Sequence, residues 1–218
     1  MLPVLPSLPL PMLELIGKAT SINVRKVLWT LDELGLEYRR RDVGEGVEEI
    51  DAGQWRALNP NGLVPVLREG DFVLWESNTI CRYLAGRAAR MDLLPAEPRT
   101  RARVEQWMDW QASGLNDAWR YVFMARVRQS PLHTDARAIE RSIASWNQYM
   151  AVLDQQLATT GAYVAGDTFT LADVVIGLSV QRWRQSPIER PDLAAVADYF
   201  ARLQQRPAFL RHGDNGVP

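Results

Sequence analysis

Two short segments of this chain place chemistry-bearing side chains at the entrance of a helix. In Ser21-Ile22-Asn23-Val24-Arg25 a hydroxyl stands just ahead of apolar residues at helical spacing, Val24, Val27, Leu28, Leu31 and Leu34. A helix entrance carries amides with no partner inside the helix, so Ser21 and those amides can point at one bound anion. Asn23 offers a carboxamide in the same place, and either residue could equally be a plain helix cap. The second segment is Trp75-Glu76-Ser77-Asn78, where Ser77 and its N–H open a helix suited to an anionic group. Between them lies Asn59-Pro60-Asn61-Gly62-Leu63-Val64-Pro65-Val66-Leu67, a turn followed by a proline at a strand start.

The elements that must position these groups follow from the pattern. Met12, Leu13 and Leu15 read as a short buried strand ending at Gly17, and a helix from about Asn23 stops at Gly35 by taking a left-handed conformation. A second strand near Glu37 to Val43 leads into a partly helical stretch from Val47 to Leu58. Val64 to Leu67 and Phe72 to Trp75 flank Glu69-Gly70-Asp71, the signature of a hairpin, and a helix runs from about Glu76 to Ala89. Leu93 to Pro98 has the proline density of a linker, and beyond it the chain reads as wholly helical. Val104, Trp107, Met108, Gln111 and Leu115 recur on one face, and a long helix is expected from Asp135 to Ala158. Thr170-Leu171-Ala172-Asp173 is a capping box with a structural role, stapled by Phe169.

Taken together, the Ser21, Val64-Pro65 and Glu76-Ser77 segments resemble the amino-terminal domain of cytosolic glutathione S-transferases of the serine and asparagine types. The resemblance implies an α/β plus all-α fold, a thioredoxin-like N-terminal domain with an all-helical C-terminal domain. Its divisions would be a flexible extension over residues 1–11, a glutathione-binding domain over 12–89, a linker over 90–98 and a helical domain over 99–218. Met12, just before the first strand, is a possible start of translation. A free thiol near pKa 8.5 is only about 3% ionised at pH 7, and lowering it by about two units takes roughly 2.7 kcal/mol of anion stabilisation. The resemblance assigns that work to Ser21 or Asn23, which of the two being open. It assigns the cysteinyl backbone of glutathione to Val64 beside a cis Pro65, the γ-glutamyl carboxylate to Ser77 and its ammonium to Glu76. Leu63 stands where relatives often carry a basic residue, which leaves the glycine carboxylate without an assigned partner. The electrophile is expected between the domains, against Lys18-Ala19-Thr20 and a helix carrying Trp107, Gln111 and Trp119.

A net charge of −1, from 25 basic and 26 acidic residues, gives no electrostatic case for nucleic acid or an anionic membrane. No apolar run approaches the ~18 residues of a membrane span. The single cysteine, Cys81, excludes an internal disulfide and a cysteine-rich metal site and fits a reducing, cytoplasmic setting. No metal is expected, glutathione is the co-substrate, and a homodimer is implied by the resemblance. Two rivals stand beside the transferase reading: glutathione-dependent disulfide or peroxide reduction, and a non-catalytic binding or assembly module on the same fold.

Overall fold

A computed structural model describes residues 11–43 and 51–218. The expected extension, apart from Pro11, and the start of the expected stretch from Val47 lie outside the described residues. The chain begins with β1 (Leu13–Ile16), α1 (Ile22–Leu34), β2 (Tyr38–Arg41), α2 (Ala52–Leu58), β3 (Val66–Glu69), β4 (Phe72–Trp75) and α3 (Ser77–Arg87). The sheet order is β2-β1-β3-β4, with β1 and β2 parallel and the other two pairs antiparallel. The parallel pair needs a crossover, which α1 supplies, whereas β3 and β4 close through Gly70-Asp71. This is the thioredoxin-like arrangement.

The remainder is helical: α4 (Pro98–Trp110), a π turn (Gln111–Leu115), α5 (Asn116–Arg126), α6 (Ala136–Thr160), α7 (Leu171–Gln185), α8 (Ala194–Leu203) and α9 (Pro207–His212). The expected stripe from Val104 to Leu115 is therefore not one uninterrupted α-helix. A π turn holds an extra residue, so everything after it is rotated by about 100° relative to a simple continuation.

Helix α1 shows how the halves join. The sequence pattern gives it one apolar face, yet Arg25, Lys26, Trp29 and Thr30 on other faces are buried as well. The reason is that α3 packs on one side while α7 and α9 cover the other. Trp29 sits between the rings of Phe169 and Phe209, with centroids 5.7 and 4.9 Å away. Gly35, at φ 63°, ends the helix in the conformation that glycine adopts without a Cβ penalty. On α7, the Asp173 carboxylate accepts from the N–H of Thr170 at 2.8 Å, as a capping box requires. It also accepts from the N–H of Val164 at 3.0 Å and the hydroxyl of Tyr199 at 3.1 Å, so the box doubles as a buried junction.

Lys26 carries a buried ammonium to the boundary of the two halves. Its Nζ donates to Asn78 Oδ1 on α3 at 3.1 Å and to Gln111 Oε1 in the π turn at 2.6 Å. Asn78 Nδ2 in turn donates to the carbonyl of Met108 at 2.8 Å. Burial lowers Lys26 from its ordinary 10.5 to about 8, with Cys81, Arg182 and Glu76 acting on it at longer range. The unfolded chain thus holds this proton more tightly than the folded one between about pH 8 and 10.5, and stability rises with pH across that window. Below the window the cost of the buried charge is fully present. Lys26→Met should abolish this contribution: urea midpoints of the parent protein should gain on those of the variant between about pH 8 and 10. An identical pH dependence in both proteins would remove Lys26 as its source.

Candidate functional site

The site forms where three chain turns meet. Gly17, at φ 146°, takes the chain out of β1 so close to α1 that a Cβ there would lie 2.6 Å from Val24 Cγ2 and 3.0 Å from Val64 Cβ. Only a residue without a side chain lets these segments touch. The Val64-Pro65 peptide bond beside it is cis. Among the described residues, neither the N–H nor the C=O of Val64 has a hydrogen-bond partner.

Ser21 is the N-cap of α1 by its backbone, whose carbonyl accepts from Arg25 N–H at 3.0 Å, but its side chain makes no capping hydrogen bond. The cap explanation therefore does not use up its hydroxyl. At the start of α3, Glu76 is the N-cap with φ 72°, a conformation that costs a non-glycine residue about 1–3 kcal/mol. The first helical bond runs from Ile80 N–H to the Glu76 carbonyl at 2.9 Å, which leaves the N–H groups of Ser77, Asn78 and Thr79 ahead of the ladder. Ser77 Oγ donates to Asn23 Oδ1 at 3.4 Å, so the entrances of α1 and α3 lie side by side.

A pocket of about 440 Å³ opens here. Thr20, Ser21, Asn23 and Val64 line one wall, whereas Asn116, Trp119 and Phe123 of α5 line the other. Arg182 of α7 also lines it, its guanidinium carbon 4.1 Å from the Phe123 ring centre and 4.5 Å from that of Trp119. Another cavity, of about 360 Å³ beside Arg190 and Asp192, takes no residue from the thioredoxin-like half.

Two expected pocket residues lie elsewhere. Trp107 is buried against Trp110, ring centres 5.0 Å apart, and Gln111 is turned inward to accept from Lys26. Their shared stripe is a core face, and the π turn rotates α5 so that Trp119 and Phe123, four residues apart, become the pocket wall. Sequence reasoning missed Phe123, Asn116 and Arg182. The signal for Arg182 was an arginine soon after the largely apolar run from Val174 to Val180.

Cys81 is fully buried and accepts from Thr30 Oγ1 at 3.2 Å. Burial pushes its thiol up to about 11, which leaves no thiolate for chemistry near neutral pH. Among the described residues, no group of three or more His, Cys, Asp or Glu side chains gathers as a metal site would require.

Comparison with known proteins places this geometry. A family model described as glutathione S-transferase, N-terminal domain, matches residues 20–87. The glutathione S-transferase GstB of Escherichia coli strain K12 is 38% identical over 203 residues, covering 85% of this chain and 97% of that protein. Glutathione S-transferase 3 of Zea mays is 34% identical over 209 residues, covering 91% and 92%. The crystal structure of the theta class glutathione S-transferase from Xanthomonas axonopodis pv. citri with glutathione bound superposes with a TM-score of 0.87 at 37% identity, covering 95% of this chain and all of that one. With that extent of identity over nearly the whole length, the chain belongs to the glutathione S-transferase family.

Proposed function

We propose that this chain conjugates glutathione to a hydrophobic electrophile, holding the tripeptide across the entrances of α1 and α3 and the electrophile against α5. The observation that carries this reading is the convergence of Ser21, Asn23 and Val64 on one pocket, with Ser77 in contact with Asn23. The similar Xanthomonas enzyme, solved with glutathione bound, supports it. The division at residues 90–98 between a domain over 12–89 and one over 99–218, and a cytoplasmic setting, belong to the same proposal.

Each group has a role that follows from its chemistry. The Ser21 hydroxyl donates the principal hydrogen bond to the glutathione sulfur, backed by the α1 amides, because no cap bond competes for it. Asn23, fixed through its Oδ1 by Ser77, keeps its Nδ2 hydrogens for the same sulfur or an adjacent carbonyl. Val64 pairs its N–H and C=O with the cysteinyl unit as an added strand, beside Pro65. Ser77 and the free α3 amides bind the γ-glutamyl carboxylate, and Glu76, exposed at the cap, meets the ammonium. Catalysis then consists of anion stabilisation and proximity. In place of Trp107 and Gln111, Thr20, Trp119 and Phe123 wall the second substrate.

Ser77→Ala should weaken glutathione binding by about 1–2 kcal/mol in calorimetry, as expected for one charge-assisted hydrogen bond. Unchanged affinity would remove Ser77 from the site. Ser21→Ala should raise the pKa of the bound thiol by about one to two units, at ~1.4 kcal/mol of lost anion stabilisation per unit, and Asn23→Ala should raise it less. Ultraviolet titration of the bound thiolate checks this: the reverse ranking assigns activation to Asn23, and no change in either variant leaves it to the helix amides. A homodimer is also part of the reading, with Phe72, 45% exposed on β4, as apolar surface open to a partner. Light scattering should report twice the monomer mass at micromolar concentration, and a monomer there would defeat the dimer.

A further inference from the structure

The electrophile pocket carries a charge that the conjugation reading does not require. Among the described residues, Lys18, Arg120, Arg128 and Arg182 line it, and no aspartate or glutamate does. This is a local excess, because the chain as a whole has a net charge of −1. Among the described residues, Arg120 pairs with the carboxylate of Asp117 at 3.3 Å on the exposed side of α5, whereas neither Arg128 nor Arg182 pairs with an aspartate or glutamate.

Arg182 is the informative member. It is 3% exposed, its Nε has no hydrogen-bond partner, and its Nη2 reaches a single acceptor, an oxygen of the last residue Pro218, at the long distance of 3.5 Å. Its other neighbours are the faces of Trp119 and Phe123, which hold the guanidinium plane by stacking and leave its hydrogen-bonding edge unspent. Arg25 behind it is equally buried and is met by the carbonyl of Val217 at 2.7 Å, by the oxygen of Pro218, the last residue, at 3.1 Å and by Asn215 Oδ1 at 3.2 Å. Burial first, then the like charges of Arg25 and Arg128, hold Arg182 down to about 9. A buried guanidinium crowded by its own kind, in a pocket walled by two aromatic rings, is stabilised by an anion that arrives with an aromatic body.

We propose that Arg182, with Arg128 at the rim, forms an anionic subsite, and that the electrophiles this enzyme prefers are aromatic compounds bearing a carboxylate. The inference rests on the glutathione-conjugation reading. With an aryl chloride the step is a substitution: the glutathione sulfur, its proton already lost to solvent, forms a C–S bond at the ring carbon, and the C–Cl bond breaks with its electron pair leaving on chloride. The arginines take no part in that bond change; they bind and orient the acid.

The test compares 4-chloro-3,5-dinitrobenzoate with its methyl ester, each kcat/KM divided by the uncatalysed rate with glutathione. The acid should be favoured about tenfold or more, the range of a charge-assisted hydrogen bond. Arg182→Gln should bring the ratio near one. Because that residue is buried, Arg128→Gln at an exposed position serves as the second variant and should lower the ratio about threefold or more. Equal values for acid and ester in the parent protein overturn the subsite and leave conjugation standing. If the variants weaken glutathione binding in calorimetry and leave the ratio unchanged, the arginines serve the glycine carboxylate of glutathione, and the proposal fails. Turnover of neither compound by a protein that still binds glutathione overturns the subsite and the transferase reading together.

Discussion

The ammonium of Lys26, closed off between Asn78 and Gln111, is the contact on which the relation of the two halves depends. Each of its partners is adjacent to something the site uses. Lys26 stands one helical turn beyond Asn23, Asn78 follows Ser77, and Gln111 opens the π turn that leads to Trp119. Withdrawing an ammonium from water costs several kcal/mol, and two amide oxygens recover that only while both stay in reach. The arrangement therefore contributes little net stability and much selectivity, since any slip of α3 or of the π turn against α1 strands a charge. The same reasoning explains why the pocket, formed by residues from both halves, can have fixed walls.

Among the described residues, no aspartate, glutamate or histidine lines the pocket, and this fits the chemistry. A thiol that ionises near neutral pH needs no strong base; it needs donors held where the anion will be, in surroundings poor in water. In the proposed reading the first amides of α1, the uncommitted hydroxyl of Ser21 and the carboxamide of Asn23 are such donors, and all are fixed by the helix entrance instead of by long flexible side chains. Glu76 holds a conformation unfavourable to it, and that strain is borne by β4 on one side and the buried start of α3 on the other.

What could be read from the sequence was mainly local. Gly35 as a stop, Gly70-Asp71 as a hairpin and Thr170 to Asp173 as a cap depend on backbone conformations that particular residues favour, and all three are present. The entrances of α1 and α3 were legible for the same reason. What escaped was set by partners far away in the chain. The burial of Lys26 follows from α3 and the π turn closing over it, and that of Arg25 from the last residues of the chain, Asn215 to Pro218, covering a face that periodicity marks as polar. Trp107 and Gln111 were expected in the pocket because a stripe counted at 3.6 residues per turn cannot register a π turn. Arg182 joined the site only because α7 packs behind α5, a contact between residues about sixty positions apart.

The π turn at Gln111–Leu115 gives this scaffold an unusual sensitivity to length. Gly114 lies so near α6 that a Cβ on it would come within 2.5 Å of Tyr149 Oη, which leaves little room for the wide turn to slide along the helix. Loss of one codon inside the turn would restore regular α-helical winding and swing α5 by about 100°, carrying Trp119 and Phe123 off the pocket while Lys26 kept its amide. Conversely, the thioredoxin-like half would be untouched. A single-residue insertion or deletion here would thus exchange one pocket wall for another and leave the entrances of α1 and α3 as they are.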